Sequence, residues 1–176
     1  MPPLIDWYRR CFEYEKDSHR KVLASLETAT ETGRASESYQ KAMNIMGHIV
    51  AARRIWLHRL NPKSERPEDL FPNRTTWDDL LAQIQIMERD WTDYFGNLID
   101  ADLQRAITYQ SFSEKVWYRS IVADVLTHVY GHSLYHRGQI ASLVRVAGGQ
   151  PAETDFIIWT REPATPPNPK TEDLSL

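Results

Sequence analysis

The chain has 176 residues, a net charge of −3 and a hydrophobic fraction of 41%. That length is most simply one domain, large enough to bury roughly 70% of its unfolded surface. The acidic balance excludes a general nucleic-acid binder, which needs a concentrated basic face, and the single cysteine, Cys11, excludes an intrachain disulfide and a Cys-based zinc cage.

The start of the chain, MPPLIDWYRRCFEYEKD, turns polar too soon for a signal peptide. No apolar run reaches membrane-spanning length. The expectation is a soluble cytoplasmic protein with no membrane partner. A first helix is expected from about Leu4 to Thr30, because Ile5, Tyr8, Phe12, Glu15, His19, Val22 and Leu26 recur every three or four residues. Gly33 is expected to end it or to lie just beyond.

A second helix is expected from about Glu37 to Leu60, with Ser36 as N-cap and an apolar face of Ala42, Ile45, Met46, Ile49, Ala52, Trp56 and Leu60. Asn61-Pro62 closes it. The stretch from Asn61 to Arg74 carries three prolines and reads as a long ordered loop whose Leu70-Phe71 tucks back onto the core.

Thr75 is expected to cap a third helix that runs to about Asn97, with Leu80, Ile84, Met87, Trp91 and Phe95 or Leu98 inward. Arg105–Phe112 and Val116–Tyr118 alternate and are rich in β-branched and aromatic residues, so a short hairpin through Ser113-Glu114-Lys115 is expected. A fourth long helix runs from about Ser120 to Ala147 and stops at Gly148-Gly149. Pro151–Trp159 forms a short ordered tail with an apolar FIIW run, and four prolines from Glu162 onward mark a solvated end.

The pattern is all-α: four long helices, each with one apolar face, bury those faces together in a four-helix bundle. The bundle domain is placed at residues 1–160 and the Pro-rich tail at 161–176. Both long connections leave room for a crossover, so up-down-up-down order is not required. Internal repeats are not evident.

Three histidines, His128, His132 and His136, stand four apart in HVYGHSLYHRGQI. Helical residues four apart lie about 40° around the axis and roughly 6 Å along it, so two imidazoles can reach one cation. The pair is either His132 with His136 or His128 with His132. Imidazole suits zinc, nickel, copper and iron. A third ligand has to come from elsewhere, and His48, mid-way along the second helix, is the best candidate; as a bare buried imidazole it would be costly. His58, near a helix end among arginines, is expected to be solvated. His19, one turn after Glu15 on the first helix, is expected to pair with it, as a buried hydrogen-bonded couple or as part of the site.

The block HVYGHSLYHRGQIASLVRVAGGQP, from His128 to Pro151, resembles the closing helix of the DinB/YfiT-like superfamily, whose pattern is a His, three residues, then His-Arg-Gly-Gln. GHIVAARRIWLHRL, from Gly47 to Leu60, is similar to that family's second helix. The resemblance covers the chain from about Leu4 to Trp159. It implies a four-helix bundle in which His48, His132 and His136 bind a divalent metal, nickel or zinc, while His128 is not normally a ligand. It also implies a homodimer acting on a small-molecule substrate. The better understood relatives are thiol-dependent transferases and isomerases, which brings in a low-molecular-weight thiol as a second cofactor.

Three neutral imidazoles leave coordination positions open, as in catalytic rather than structural sites. A metal there lowers the pKa of water or of a thiol. No HEXXH carboxylate names a general base, so Glu15, Tyr135 and Asp155 are the candidate pocket groups. Arg137 and Gln139 flank His136 and are expected to anchor the helix rather than touch substrate. Gly138, costing about 1 kcal/mol of helix stability against Ala, suggests close approach to another backbone. The function expected is a metal-dependent hydrolase or thiol-dependent S-transferase, with a non-catalytic metal-binding or dimeric interaction or stress-response protein as the other reading.

Overall fold

The computed structural model describes residues 3–112 and 114–164. Most of the expected Pro-rich tail, residues 165–176, lies outside them, as does Ser113 of the hairpin turn. The elements are α1 (Leu4–Glu27), α2 (Glu31–Arg34), α3 (Glu37–Leu60), α4 (Trp77–Asn97), a 3-10 turn (Asp100–Gln104), β1 (Ala106–Gln110), β2 (Trp117–Ile121), α5 (Val122–Val146) and α6 (Phe156–Thr160). The chain is mostly helical, with one small antiparallel hairpin before the last long helix.

The stripes read from the sequence face inward. Ile5, Tyr8, Phe12, Glu15, His19, Val22 and Leu26 of α1 are buried, as are Leu80, Ile84, Met87, Trp91 and Phe95 of α4. They meet Met46, Ile49 and Leu57 of α3 and Val125, Val129, Ile140 and Val144 of α5 in one core. Burying side chains of this size is worth about 1.5–3 kcal/mol each.

Pair contacts fix the helix directions. Tyr8 donates to the Ala123 carbonyl, and Ser25 reaches the Gln150 carbonyl at 2.7 Å, so α1 and α5 run parallel. His48 lies opposite His132 and His136 while Trp56 lies against His128, so α3 and α5 are antiparallel. Arg9 hydrogen-bonds the Phe95 carbonyl and His19 meets Glu88, so α4 opposes α1. Helices α3 and α4 therefore run the same way, and residues 61–76 are the crossover that returns the chain along the bundle. A connection of this length inside a domain is uncommon and is often functional.

Helix ends explain where the expectations shift. α1 stops at Glu27, six residues before Gly33, because Thr30 starts the separate turn α2 by accepting from the Gly33 N–H. Gly33 serves packing: an added Cβ would meet the Ala147 carbonyl oxygen at 1.9 Å. Thr76, not Thr75, caps α4 through the Asp79 N–H, while the Thr75 N–H donates to Asn44 Oδ1. The first N–H groups of α1 are met by a distant carboxylate, Asp100, at 3.2 and 2.8 Å, which suits the positive end of the helix. Strand β2 runs on to Ile121, so α5 begins at Val122 rather than Ser120. At its other end Gly148 takes φ +70, and the N–H groups of Gly148 and Gly149 return to the Arg145 and Val144 carbonyls. That is the double bond of a Schellman stop, where a left-handed residue is cheapest as glycine.

Leu70 and Phe71 do not join the core. Leu70 is half-buried, and Phe71 is 68% exposed and stacks on His48. Gly138 approaches no other backbone; an added Cβ would meet nothing within 4 Å. No helix among the described residues is long and apolar enough to cross a membrane.

Candidate metal centre

The antiparallel contact of α3 with α5 brings three imidazoles to one point. His48 Nε2 lies 3.2 Å from His132 Nε2, and His136 Nε2 lies 3.1 Å from the same atom. All three ligand nitrogens fall within 4.8 Å of one another. All three side chains are half-buried.

The outer ring atoms decide the tautomers. His48 Nδ1–H donates to the Leu70 carbonyl oxygen at 2.6 Å, and His136 Nδ1–H donates to Gln139 Oε1 at 2.8 Å. Both Nε2 atoms are thereby left as bare lone pairs turned toward His132, the arrangement in which an outer hydrogen bond orients a metal-ligating histidine. Burial, then the neighbouring His136, His48, His128 and Arg53, push His132 down to about 3. Burial also lowers His48, against the opposing pull of its Leu70 hydrogen bond. The single ring proton of a neutral His132 can bridge only one of its two neighbours, so the other pair of nitrogens is left without a proton between them. Two nitrogens bound at about 2.1 Å to one tetrahedral ion stand about 3.4 Å apart, close to the spacings seen. The donor set therefore fits a metal ion that takes imidazole ligands.

The rim of this group is aromatic. Phe71 stacks on His48 with ring centroids 4.8 Å apart and 11° between planes, and Tyr135, 66% exposed, stands at 5.1 Å from His136. His128 lies outside the three-histidine group; its ring is 5.6 Å from His132 and 5.4 Å from Trp56. A cleft of about 590 Å³ lies elsewhere. It lies between α3, α4 and the crossover and is lined by Gly47, Arg54, Asp69, Arg74 and Thr75, with none of the three histidines. A converging ligand set outweighs cleft size as a guide to chemistry, because volume alone supplies no reacting group.

Glu15 and His19 do not line the site. Glu15, 1% exposed, takes Arg137 on one oxygen at 2.5 Å and Arg53 on the other. Burial alone would raise its carboxyl; Arg53 and then Arg137 outweigh that and hold it below the usual range. Arg53 continues to Ser133 Oγ, and Arg137 donates to the Tyr14 hydroxyl at 2.7 Å. His19 bonds to Glu88 at 2.7 Å rather than to Glu15, and burial lowers its pKa. His58 is not solvated but half-buried, bonded to the Ser64 carbonyl at 2.7 Å. Asp155 is exposed at the start of α6, away from the histidine group, which includes no carboxylate among the described residues.

Nothing in the chain alone assigns Leu70 and Phe71 to His48, or Arg53, Ser133 and Tyr14 to the network around Glu15. Only one signal was available for part of this set. Ser133 and Arg137 each follow a histidine of the pair by one residue, which turns them about 100° around the helix, onto the other face.

Bundle, crossover and histidine group define a helical protein with a site that can hold a metal ion. The DinB family model matches residues 7–170, and the chain belongs to the DinB family. Comparison with curated proteins and with solved structures gives no significant match.

Proposed function

We propose that this protein is a metal-dependent enzyme that holds nickel or zinc through His48, His132 and His136 and acts on a small molecule, as a hydrolase or a thiol-dependent S-transferase. One observation carries the reading: three imidazole Nε2 atoms converge within 4.8 Å, two of them fixed as acceptors by outer hydrogen bonds. Three protein ligands with a rim open to solvent leave positions for substrate, as catalytic rather than structural sites do. When bound, the metal supplies Lewis acidity toward water or a thiol.

The chain's own residues supply the rest. The Leu70 carbonyl and Gln139 keep His48 and His136 turned inward. Phe71 and Tyr135 form an apolar rim that displaces water from one side of the entrance. His128, exposed beside His132, stands where its ring can exchange a proton with a bound substrate.

The test is metal content after dialysis. Protein loaded with nickel or zinc is expected to retain about one equivalent per chain. His48→Ala, His132→Ala and His136→Ala should each lose at least tenfold in affinity, while His128→Ala keeps the metal. Retention by all three variants overturns the ligand set. Assay of a reactive electrophile with and without low-molecular-weight thiols then separates transferase from hydrolase.

A further inference from the structure

Beyond the histidine group, a run of side chains shared by α3 and α5 leads to a second polar feature. Arg59 follows His48 by eleven residues, three helical turns plus about 20°, so both lie on one face about 16 Å apart along the axis. Between them the wall is continuous. The His132 ring contacts His128, His128 contacts Trp56, and the Arg59 guanidinium lies over Trp56 at 4.4 Å.

Arg59 is held on several sides without an acid. Its guanidinium lies 4.5 Å from the Tyr109 ring and 5.5 Å from Phe112, and it donates to the Gln110 carbonyl at 3.1 Å. No carboxylate pairs with it among the described residues. A guanidinium has five N–H donors, so most of this one's donors are uncommitted to acids. Arg66 approaches the same Phe112 ring at 5.2 Å, also without a carboxylate partner among the described residues. Two cations share one aromatic ring and no anion, although cation–π contact is a weaker partner than a carboxylate. Elsewhere in the protein half-buried or buried arginines find one, as Arg54 does with Glu65 and Arg53 with Glu15.

We propose that Arg59, clamped by Trp56, Tyr109 and Phe112 and aided by Arg66, anchors the carboxylate of an elongated substrate whose other end binds at the three-histidine group. This rests on the metal-centre reading and adds the substrate class: an extended acid with a metal-binding head and an apolar or planar middle lying along Trp56 and His128. A short acid cannot reach both ends, because the two features are separated by turns of helix rather than by one side chain. A planar guanidinium takes a carboxylate on two parallel hydrogen bonds, which would fix the far end of the molecule and so its orientation at the metal.

The test uses full-length protein loaded with cobalt(II) and follows thiolate-to-cobalt absorption. The probes are mercaptopropionate, mercaptooctanoate and mercaptoundecanoate, each against the mercaptoalcohol of the same length. A carboxylate advantage of about tenfold or more, the size of a charge-assisted hydrogen bond, is expected for the long acids and not for mercaptopropionate. In Arg59→Gln the long acids should fall to the affinity of their alcohols, whose continued binding shows that the variant is folded. Arg59→Lys should keep part of the advantage. Equal binding of acids and alcohols at every length, or an advantage that survives Arg59→Gln, overturns the anchor and leaves the metal centre standing. Failure of the protein to hold cobalt overturns the metal reading, and the anchor falls with it.

Discussion

Two polar clusters lie on different faces of α5, about 100° apart, built from residues that are neighbours in the chain. His132 and His136 turn to the open groove; Ser133 and Arg137, one residue later each, turn into the core. The inner cluster is self-completing, since Glu15 is held by Arg53 and Arg137, which in turn reach Ser133 and Tyr14. The outer cluster is not: His48 and His136 both turn bare Nε2 lone pairs on His132, whose single ring proton can satisfy only one of them. The difference shows a division of labour. The buried ions fix α1, α3 and α5 against each other, and that registry brings His48 to His132 and His136. The histidines then hold three ring nitrogens in a geometry that can take a metal ion.

The largest effect should come from breaking the inner cluster. Glu15→Gln strands two buried guanidiniums and is expected to destabilise the protein by about 3–5 kcal/mol, a large part of the total stability of a typical domain. His132→Ala in metal-free protein should cost below about 1 kcal/mol, because its ring is half-buried and lies among repelling nitrogens. Urea denaturation measures both, and similar costs for the two variants would erase the proposed division.

Acid should act next. His19 is buried and neutral, bonded to Glu88, with its pKa below the ordinary value because burial disfavours the charged form. The unfolded chain therefore takes up a proton below about pH 6.5 that the folded chain refuses. Metal-free protein should hold its stability above that pH and lose it progressively as pH falls toward the lowered folded value. His19→Gln should flatten part of this loss, measured as the unfolding midpoint against pH. An unchanged slope would remove His19 from the account.

The smallest effect expected is a gain. Gly138 lies on the exposed side of α5, and its missing Cβ would meet nothing within 4 Å. Gly138→Ala should raise stability by about 0.5–1 kcal/mol through the unfolded state, read from thermal or urea unfolding. A loss instead would mean that the outer face of α5 near His136 needs the glycine.

Much of this was legible in the chain. The inward stripe of α1, from Ile5 to Leu26, and that of α4, from Leu80 to Phe95, repeat with helical period, and a period of that kind has one physical solution. Ser36 and Gly148 mark helix ends by chemistry that works within a few residues. What was misplaced depended on contacts across the fold. Thr76 rather than Thr75 caps α4, Thr75 being tied to Asn44 of α3 through its N–H, and His19 pairs with Glu88 from another helix and not with Glu15 on its own.

By itself, then, the sequence determined the long helices, the hairpin, the three histidines spaced four apart on one face and the presence of His48 on another helix. These are local facts, set by the 3.6-residue period and by side-chain chemistry. Only the tertiary structure decided that α3 runs antiparallel to α5, that the crossover sets the Leu70 carbonyl on His48, and that Glu15 serves the core. Each of these depends on the rotation and direction of packed helices, which follow from the summed burial of their apolar faces and from no single motif.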